Sequence, residues 1–158
     1  MDSDLTYQQA ITRASAICSR SEKCEAEIRA LFNKWGLSSG DADKAINWLV
    51  RERFIDEKRY TANFVHDKFH LNKWGKFKII SMLRMKKIPE EIVSDAVEGI
   101  PAEEYEDTLR KLLKGKAKTI KESGKREKFS KLISFAHGRG FENDLAFRIA
   151  GELFSPED

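Results

Sequence analysis

Apolar residues recur along the chain at the three-and-four spacing of one helix face, and this pattern predicts nine amphipathic helices. The first spans about Thr6 to Ser19, with Tyr7, Ala10, Ile11, Ala14, Ile17 and Cys18 on one side. The second, about Glu22 to Lys34, turns Ile28, Leu31, Phe32 and Trp35 inward and stops at Gly36, the residue best suited to a left-handed C-terminus. Ser38 followed by Asp41 opens a third, striped by Ala42, Ala45, Ile46, Leu49 and Val50. Asp56 is the predicted N-cap of the fourth, with Glu57 adding negative charge where the helix dipole favours it. Tyr60, Phe64 and Leu71 are its expected apolar stripe, and Asn72–Gly75 closes it.

The fifth helix, Lys76 to Lys87, carries Ile79, Met82 and Leu83 on one side, with Phe77 and Ile80 beside them. Pro89 suits the first turn of the sixth, where its missing N–H would have lacked a partner, and Ile92, Val93, Ala96 and Val97 face inward before Gly99. The seventh runs from Pro101 to about Lys121 on Tyr105, Leu109, Leu112, Leu113, Ala117 and Ile120. Gly124 separates it from the eighth, which holds Phe129, Leu132, Ile133 and Ala136. Gly138-Arg139-Gly140 turns the chain into the ninth, with Leu145, Ala146 and Ile149, and Ser155–Asp158 reads as a frayed tail.

Three groups of three helices overlay in one register. Ile28, Phe32 and Leu37 match Ile79, Leu83 and Ile88, which match Leu132, Ala136 and Phe141, at intervals of four and then five residues in each copy. The residue before the last position is Gly36, Lys87 and Gly140. The expected fold is all-α; the register fits three tandem three-helix, helix-turn-helix-like repeats at residues 1–53, 54–100 and 101–158, or the overlay that any two amphipathic helices allow.

Composition narrows the functional classes. The 158 residues are 41% hydrophobic, enough for a core, and 29 Lys and Arg against 26 Asp and Glu leave a net charge of only +3. No window approaches the roughly 18 apolar residues of a bilayer span, and Met1–Asp4 is acidic where a signal peptide is basic, so a cytoplasmic protein is expected. Cys18 and Cys24 lack the spacing of a redox or metal pair and read as helix residues. His66 and His70 stand one turn apart, but Asp67 and Lys68 between them and a single further histidine, His137, do not make a zinc helix. Gly138-Arg139-Gly140 is too short to cradle phosphates. The expectation is no catalytic residue, no metal and no cofactor: not an enzyme.

Charge is segregated more than its sum suggests. From Lys68 to Ile88 the chain holds Lys68, Lys73, Lys76, Lys78, Arg84, Lys86 and Lys87 without an acid, interleaved with Phe69, Trp74 and Phe77. A second tract runs from Arg110 to Lys131, diluted by Glu122 and Glu127. Such tracts suit a polyanion or an acidic partner surface, or else an ordinary solvated face. With Arg59, the first tract supplies the candidate contact residues.

The run Phe54-Ile55-Asp56-Glu57-Lys58-Arg59-Tyr60, continuing through Phe64-Val65, Asp67-Lys68, Trp74-Gly75, Lys78-Ile79 and Leu83-Arg84, resembles the RecX family, small bacterial proteins that modulate the RecA recombinase. Weaker similarity lies at Lys34-Trp35-Gly36-Leu37, Lys87-Ile88-Pro89-Glu90-Glu91 and Arg139-Gly140-Phe141. Lys87 departs from the family's turn glycine. The resemblance implies three tandem repeats in an elongated, curved arrangement. It also implies binding in the RecA filament groove, with DNA bound weakly or within the filament, and inhibition of ATP hydrolysis and strand exchange. The setting would be recombination, DNA repair and the SOS response, and a monomer is expected. Phe54, Asp56, Glu57, Tyr60, Phe64, Trp74 and Gly75 are its motif residues, read as architectural. The rival is a stand-alone helix-turn-helix DNA-binding regulator, although helices three, six and nine open with Ser39-Gly40, Pro89-Glu90 and Glu142-Asn143, whose acids disfavour groove entry.

Overall fold

The computed structural model describes residues 5–121 and 124–154, and the expected tail, the acidic N-terminus and Glu122 lie outside them. Among the described residues the chain forms α1 (Tyr7–Arg20), α2 (Glu25–Lys34), α3 (Ser39–Arg51), α4 (Glu57–His70), α5 (Lys76–Met85), α6 (Glu90–Glu98), α7 (Ala102–Ala117), α8 (Lys125–Gly138) and α9 (Asn143–Leu153), with no strand. The fold is all-α, as the periodicity predicts. The helix starts are chemically explicit. The Thr6 and Ser38 hydroxyls accept the amides of Gln9 and Asp41, both at 3.2 Å, and Asp56 Oδ1 accepts the Arg59 N–H at 3.0 Å.

The three repeat-register turns share one hydrogen-bonded form. Gly36, Lys87 and Gly140 have φ of 84°, 59° and 94°. In each turn the following N–H reaches back five residues: Leu37 to Phe32 at 3.0 Å, Ile88 to Leu83 at 3.2 Å and Phe141 to Ala136 at 3.0 Å. This is the Schellman closure. The interval of five seen in the sequence is thus the distance between its bonded, apolar partners, and the interval of four before it is one helical turn. Arg53 at the end of α3 makes the same closure through Phe54 to Leu49, at 2.9 Å with φ 63°.

Packing separates two compact units, Met1–Phe64 with Leu83–Val93, and Val65–Met82 with Ser94–Asp158. The core of the first joins Ala10, Ile11, Ala14 and Cys18 of α1, Ile28 and Phe32 of α2, and Ala42, Ala45, Ile46 and Leu49 of α3, closed by Ile55. Phe54 stacks on Trp48 with ring centroids 5.7 Å apart, and Phe64 on Tyr60 at 6.0 Å. In the second unit α7, α8 and α9 pack on one another around Leu109, Leu113, Leu132, Ala146 and Ile149. Phe69, Tyr105 and Phe141 form an aromatic column there, with centroids 5.8 and 5.1 Å apart.

Two expected inward residues, Leu71 and Val50, face out, as does Phe77, expected beside the inward side of its helix. Leu71 is 74% exposed, Phe77 59% and Val50 41%. The stripe of α4 passes instead through Tyr60, Thr61, Val65 and Phe69, and Leu71 lies two residues beyond Phe69, about 200° around the helix. Phe77 stands two residues before the buried Ile79, on the opposite side for the same reason. Three helix ends also move: α2 starts at Glu25, α5 ends at Met85 and α7 ends at Ala117.

Candidate partner-binding surface

The eight candidate basic residues divide between the two units. Lys68, Lys73, Lys76 and Lys78 belong to the second; Arg59, Arg84, Lys86 and Lys87 belong to the first.

In the first unit, three of the four hold the fold. Arg59 Nε donates to Glu22 Oε1 at 2.5 Å, Arg84 Nε to Glu90 Oε1 at 2.8 Å, and Lys86 Nζ to Glu27 Oε2 at 3.1 Å. Glu27 also accepts the Cys24 N–H at 3.1 Å, completing the N-terminal box of α2. Glu57, placed by the sequence at the start of α4, reaches a different helix: its Oε2 accepts the Glu25 N–H in the first turn of α2 at 3.2 Å. The two carboxylates shift in opposite directions. Burial pushes Glu57 up, against the Glu25 N–H and with the repulsion of Glu25 and Glu27. Burial also raises Glu27, but the Cys24 N–H and Lys86 outweigh it and hold that carboxyl below the usual range. Burial lifts the Cys24 thiol to about 11 and raises the Tyr60 hydroxyl, so neither is a nucleophile at neutral pH. A cleft of about 350 Å³ lined by Glu25, Arg29, Asn33, Glu57, Lys86 and Lys87 carries both signs of charge and has no preference for an anion. Lys87 is exposed at its left-handed turn and makes no ion pair among the described residues.

The second unit concentrates cations around an aromatic ring. The Lys68 and Lys78 ammonium groups lie 4.8 and 4.5 Å from the centroid of half-buried Trp74, and Lys76 lies 4.7 Å from Tyr105. Lys73 is exposed at φ 58°, where its N–H closes α4 onto the Phe69 carbonyl at 3.1 Å. Exposed Leu71 and Phe77 flank these residues in sequence.

Gly75 fixes the start of α5 by close backbone approach. Its N–H donates to the Arg139 carbonyl at 2.7 Å and the Phe77 N–H to the Gly140 carbonyl at 3.0 Å. A Cβ on Gly75 would fall 2.3 Å from the Gly140 carbonyl carbon, and one on Gly140 2.4 Å from Lys78 Cβ. Arg139, absent from the candidate residues, donates from Nη1 to the Asn72 carbonyl at 2.9 Å and so ties down the α4–α5 loop. Tyr105 joins α5 to α9, accepting the Lys76 N–H at 2.8 Å and donating to Glu142 Oε1 at 2.5 Å. Burial, first, and Glu142 raise its hydroxyl well above the ordinary tyrosine value.

His70 Nε2 lies 2.7 Å from Glu104 Oε1, and the His66 and His70 rings stack at 4.4 Å. No group of three or more His, Cys, Asp or Glu able to hold a metal ion occurs among the described residues. No helix there is long and apolar enough to cross a membrane. The first turns of α3, α6 and α9 carry Asp41, Glu90 with Glu91, and Asp144, the wrong sign for a helix entering a nucleic-acid groove.

Residues 56–97 match the family model for RecX, second three-helix domain. The regulatory protein RecX of Clostridium acetobutylicum is 28% identical over 153 residues, covering 94% of this chain and 71% of its own length. That of Clostridium perfringens is 28% identical over 137 residues, covering 85% and 64%. The chain thus spans between 47% and 71% of the length of such curated relatives. The crystal structure of RecX from Lactobacillus salivarius superposes with a TM-score of 0.84 at 20% identity, covering 93% of this chain and 96% of that one. A second RecX crystal structure gives 0.76 at 19%, covering 90% and 72%.

Proposed function

We propose, from the match of residues 56–97 to the RecX second three-helix domain and the likeness of the whole chain to RecX proteins, that it is a non-enzymatic regulator that binds the RecA recombinase on its DNA filament and inhibits ATP hydrolysis and strand exchange. It acts in recombination and DNA repair in the cytoplasm, using three tandem three-helix repeats, 1–53, 54–100 and 101–158. Such a row of units offers many weak contacts whose effects multiply.

The observation that supports this reading is the cationic and aromatic surface of the second unit. Lys68 and Lys78 lie against the half-buried Trp74 indole, Lys76 lies against Tyr105 and Lys73 is exposed beside Trp74 in sequence, with no acid between Lys68 and Ile88. A tryptophan held between two ammonium groups is a rigid anchor with a charged rim, the composition expected where a protein surface is gripped. Arg59, Arg84 and Lys86 serve the fold through Glu22, Glu90 and Glu27.

The test is RecA-dependent ATPase and strand exchange with increasing amounts of the protein. Inhibition is expected, and none at any ratio would sink the proposal. The variant K73E/K78E with Lys76→Gln is expected to need at least about tenfold more protein for the same inhibition at unchanged helicity. Undiminished inhibition would place the contact elsewhere.

A further inference from the structure

The Trp74 surface continues across the α8–α9 turn, and we propose that Trp74, Arg139, Phe135 and Lys116 form one strip that grips an acidic protein segment. Every residue of the strip lies in the second unit. The proposal rests on the reading above, in which the partner is the recombinase, and extends it to residues outside the first basic tract.

Hydrogen bonds hold the strip together. The Gly75 N–H donates to the Arg139 carbonyl at 2.7 Å, the Phe77 N–H to the Gly140 carbonyl at 3.0 Å, and Arg139 Nη1 to the Asn72 carbonyl at 2.9 Å, so the α4–α5 loop and the α8–α9 turn are neighbours. Arg139 also lies back over its own helix. Its guanidinium carbon stands 5.3 Å from the ring centroid of Phe135, one turn earlier in α8, and Lys116 Nζ reaches the same ring from α7 at 5.4 Å. The arrangement repeats that at Trp74, where Lys78 and Lys68 stand at 4.5 and 4.8 Å. Each of two half-buried rings thus carries a pair of cations.

A ring attracts a cation without neutralising it. Arg110, Arg148 and His70 of this unit stand against carboxylates, whereas Lys116 and Arg139 stand against none among the described residues. Their charge is left to be met from outside, at points fixed by Phe135 and the Asn72 carbonyl. Phosphate contacts need cations only approximately placed. A half-buried ring with two cations over it leaves no face on which a base could stack. Carboxylates suit the strip better, because a planar guanidinium held in place recognises them by geometry as well as charge. Leu71, 74% exposed and immediately before Asn72, adds an apolar side chain that a protein segment can cover and a phosphate backbone cannot.

Contact is read by replacing Phe135 with the photoreactive aromatic p-benzoylphenylalanine in the full chain and irradiating it with recombinase filaments on single-stranded DNA. The expected product is a crosslink to a recombinase peptide rich in Asp and Glu. A crosslink to the DNA strand alone, or none while the same group in place of Trp74 crosslinks, would overturn the proposal. K116Q, which leaves the hydrogen bonds of the loop untouched, is expected to need at least about threefold more protein for half-maximal inhibition at unchanged helicity, and K116Q/R139Q at least about tenfold more. K116Q/R139K is expected to behave as K116Q, since a lysine keeps both the charge and a donor for Asn72. Undiminished inhibition by K116Q/R139Q, while K73E/K78E weakens it, would refute the strip and leave the Trp74 reading intact. If the wild type inhibits at no ratio, the recombinase reading falls by itself. The strip is then decided by anisotropy of a labelled peptide of Glu, Asp and Leu. Binding at least about tenfold weaker in K116Q/R139Q than in wild type supports the strip, and equal binding or none refutes it.

Discussion

Glu57 sits in the sequence at the mouth of α4 and acts on α2, where its carboxylate takes the Glu25 N–H. Burial pushes it up, so its neutral form is the one the fold prefers. A carboxyl raised on folding gives stability that is full below its unfolded value and lost as pH rises through its folded value. Glu57→Gln keeps the acceptor without the buried charge. It is therefore expected to melt at or above the wild type at pH 7, the margin closing as pH falls through the carboxylate range. Glu57→Ala removes the acceptor and is expected to cost about 1 kcal/mol at either pH. Thermal melts from pH 4 to 8 check both, and a glutamine variant clearly less stable at pH 7 would contradict the assignment. Glu27 has the opposite sign: held down by the Cys24 N–H and Lys86, its stability is present above the usual carboxylate value and is lost as pH falls through its lowered one. Asp56 was legible as a cap because its partner lies three residues away. The cross-helix role of Glu57 was not, because its partner lies 32 residues back. Arg59 and Lys86 were misleading for the same reason, with carboxylates 37 and 59 residues distant.

At the scale of the helix, the legible signal was the spacing of four and five. It survives because the Schellman closure fixes which residues meet, whatever their side chains. Lys87 shows the limit of reading the turn by its glycine. It takes φ 59° without one, so the closure persists and the strain is borne locally. Lys87→Gly is expected to raise stability by about 1 kcal/mol. Gly75→Ala is expected to lower it by about 3 kcal/mol or more, since its Cβ would overlap the Gly140 backbone. Urea midpoints separate the two, and a tolerated Gly75→Ala would mean that α5 can start elsewhere. Leu71 was misplaced, and the side of Phe77 was not legible, because α4 and α5 mix aromatic, apolar and basic residues on several faces. There only packing chooses Phe69 and Ile79.

For the whole chain, net charge conceals the distribution. Residues 68–88 carry +7 and residues 110–131 carry +8, so in a chain of net +3 the rest stands at −12. Partner binding through such tracts is governed by ionic strength, because exposed charges act over a screening length of only about 10 Å at 0.1 M salt. Half-maximal inhibition of the recombinase is expected to move to at least about tenfold higher protein concentration between 50 and 200 mM salt. A titration indifferent to salt would shift the weight to the apolar Leu71, Trp74 and Phe77. The all-α fold was readable from periodicity. Which cations remain available was not, because a run of lysines on paper divides between two packing units and several carboxylates.

The meeting of Gly75 and Gly140 bears on where such a chain could be cut. The segment matched by the family model, residues 56–97, contains Gly75 and Phe77, whose amides find acceptors only at Arg139 and Gly140. Its own helices α4, α5 and α6 are each divided between the two packing units. A recognisable stretch of sequence is here not a portable part: excised, it would leave those amides without their acceptors and Phe69 without its column. Exchange of pieces between relatives would have to carry residues 65–82 together with everything from 94 onward.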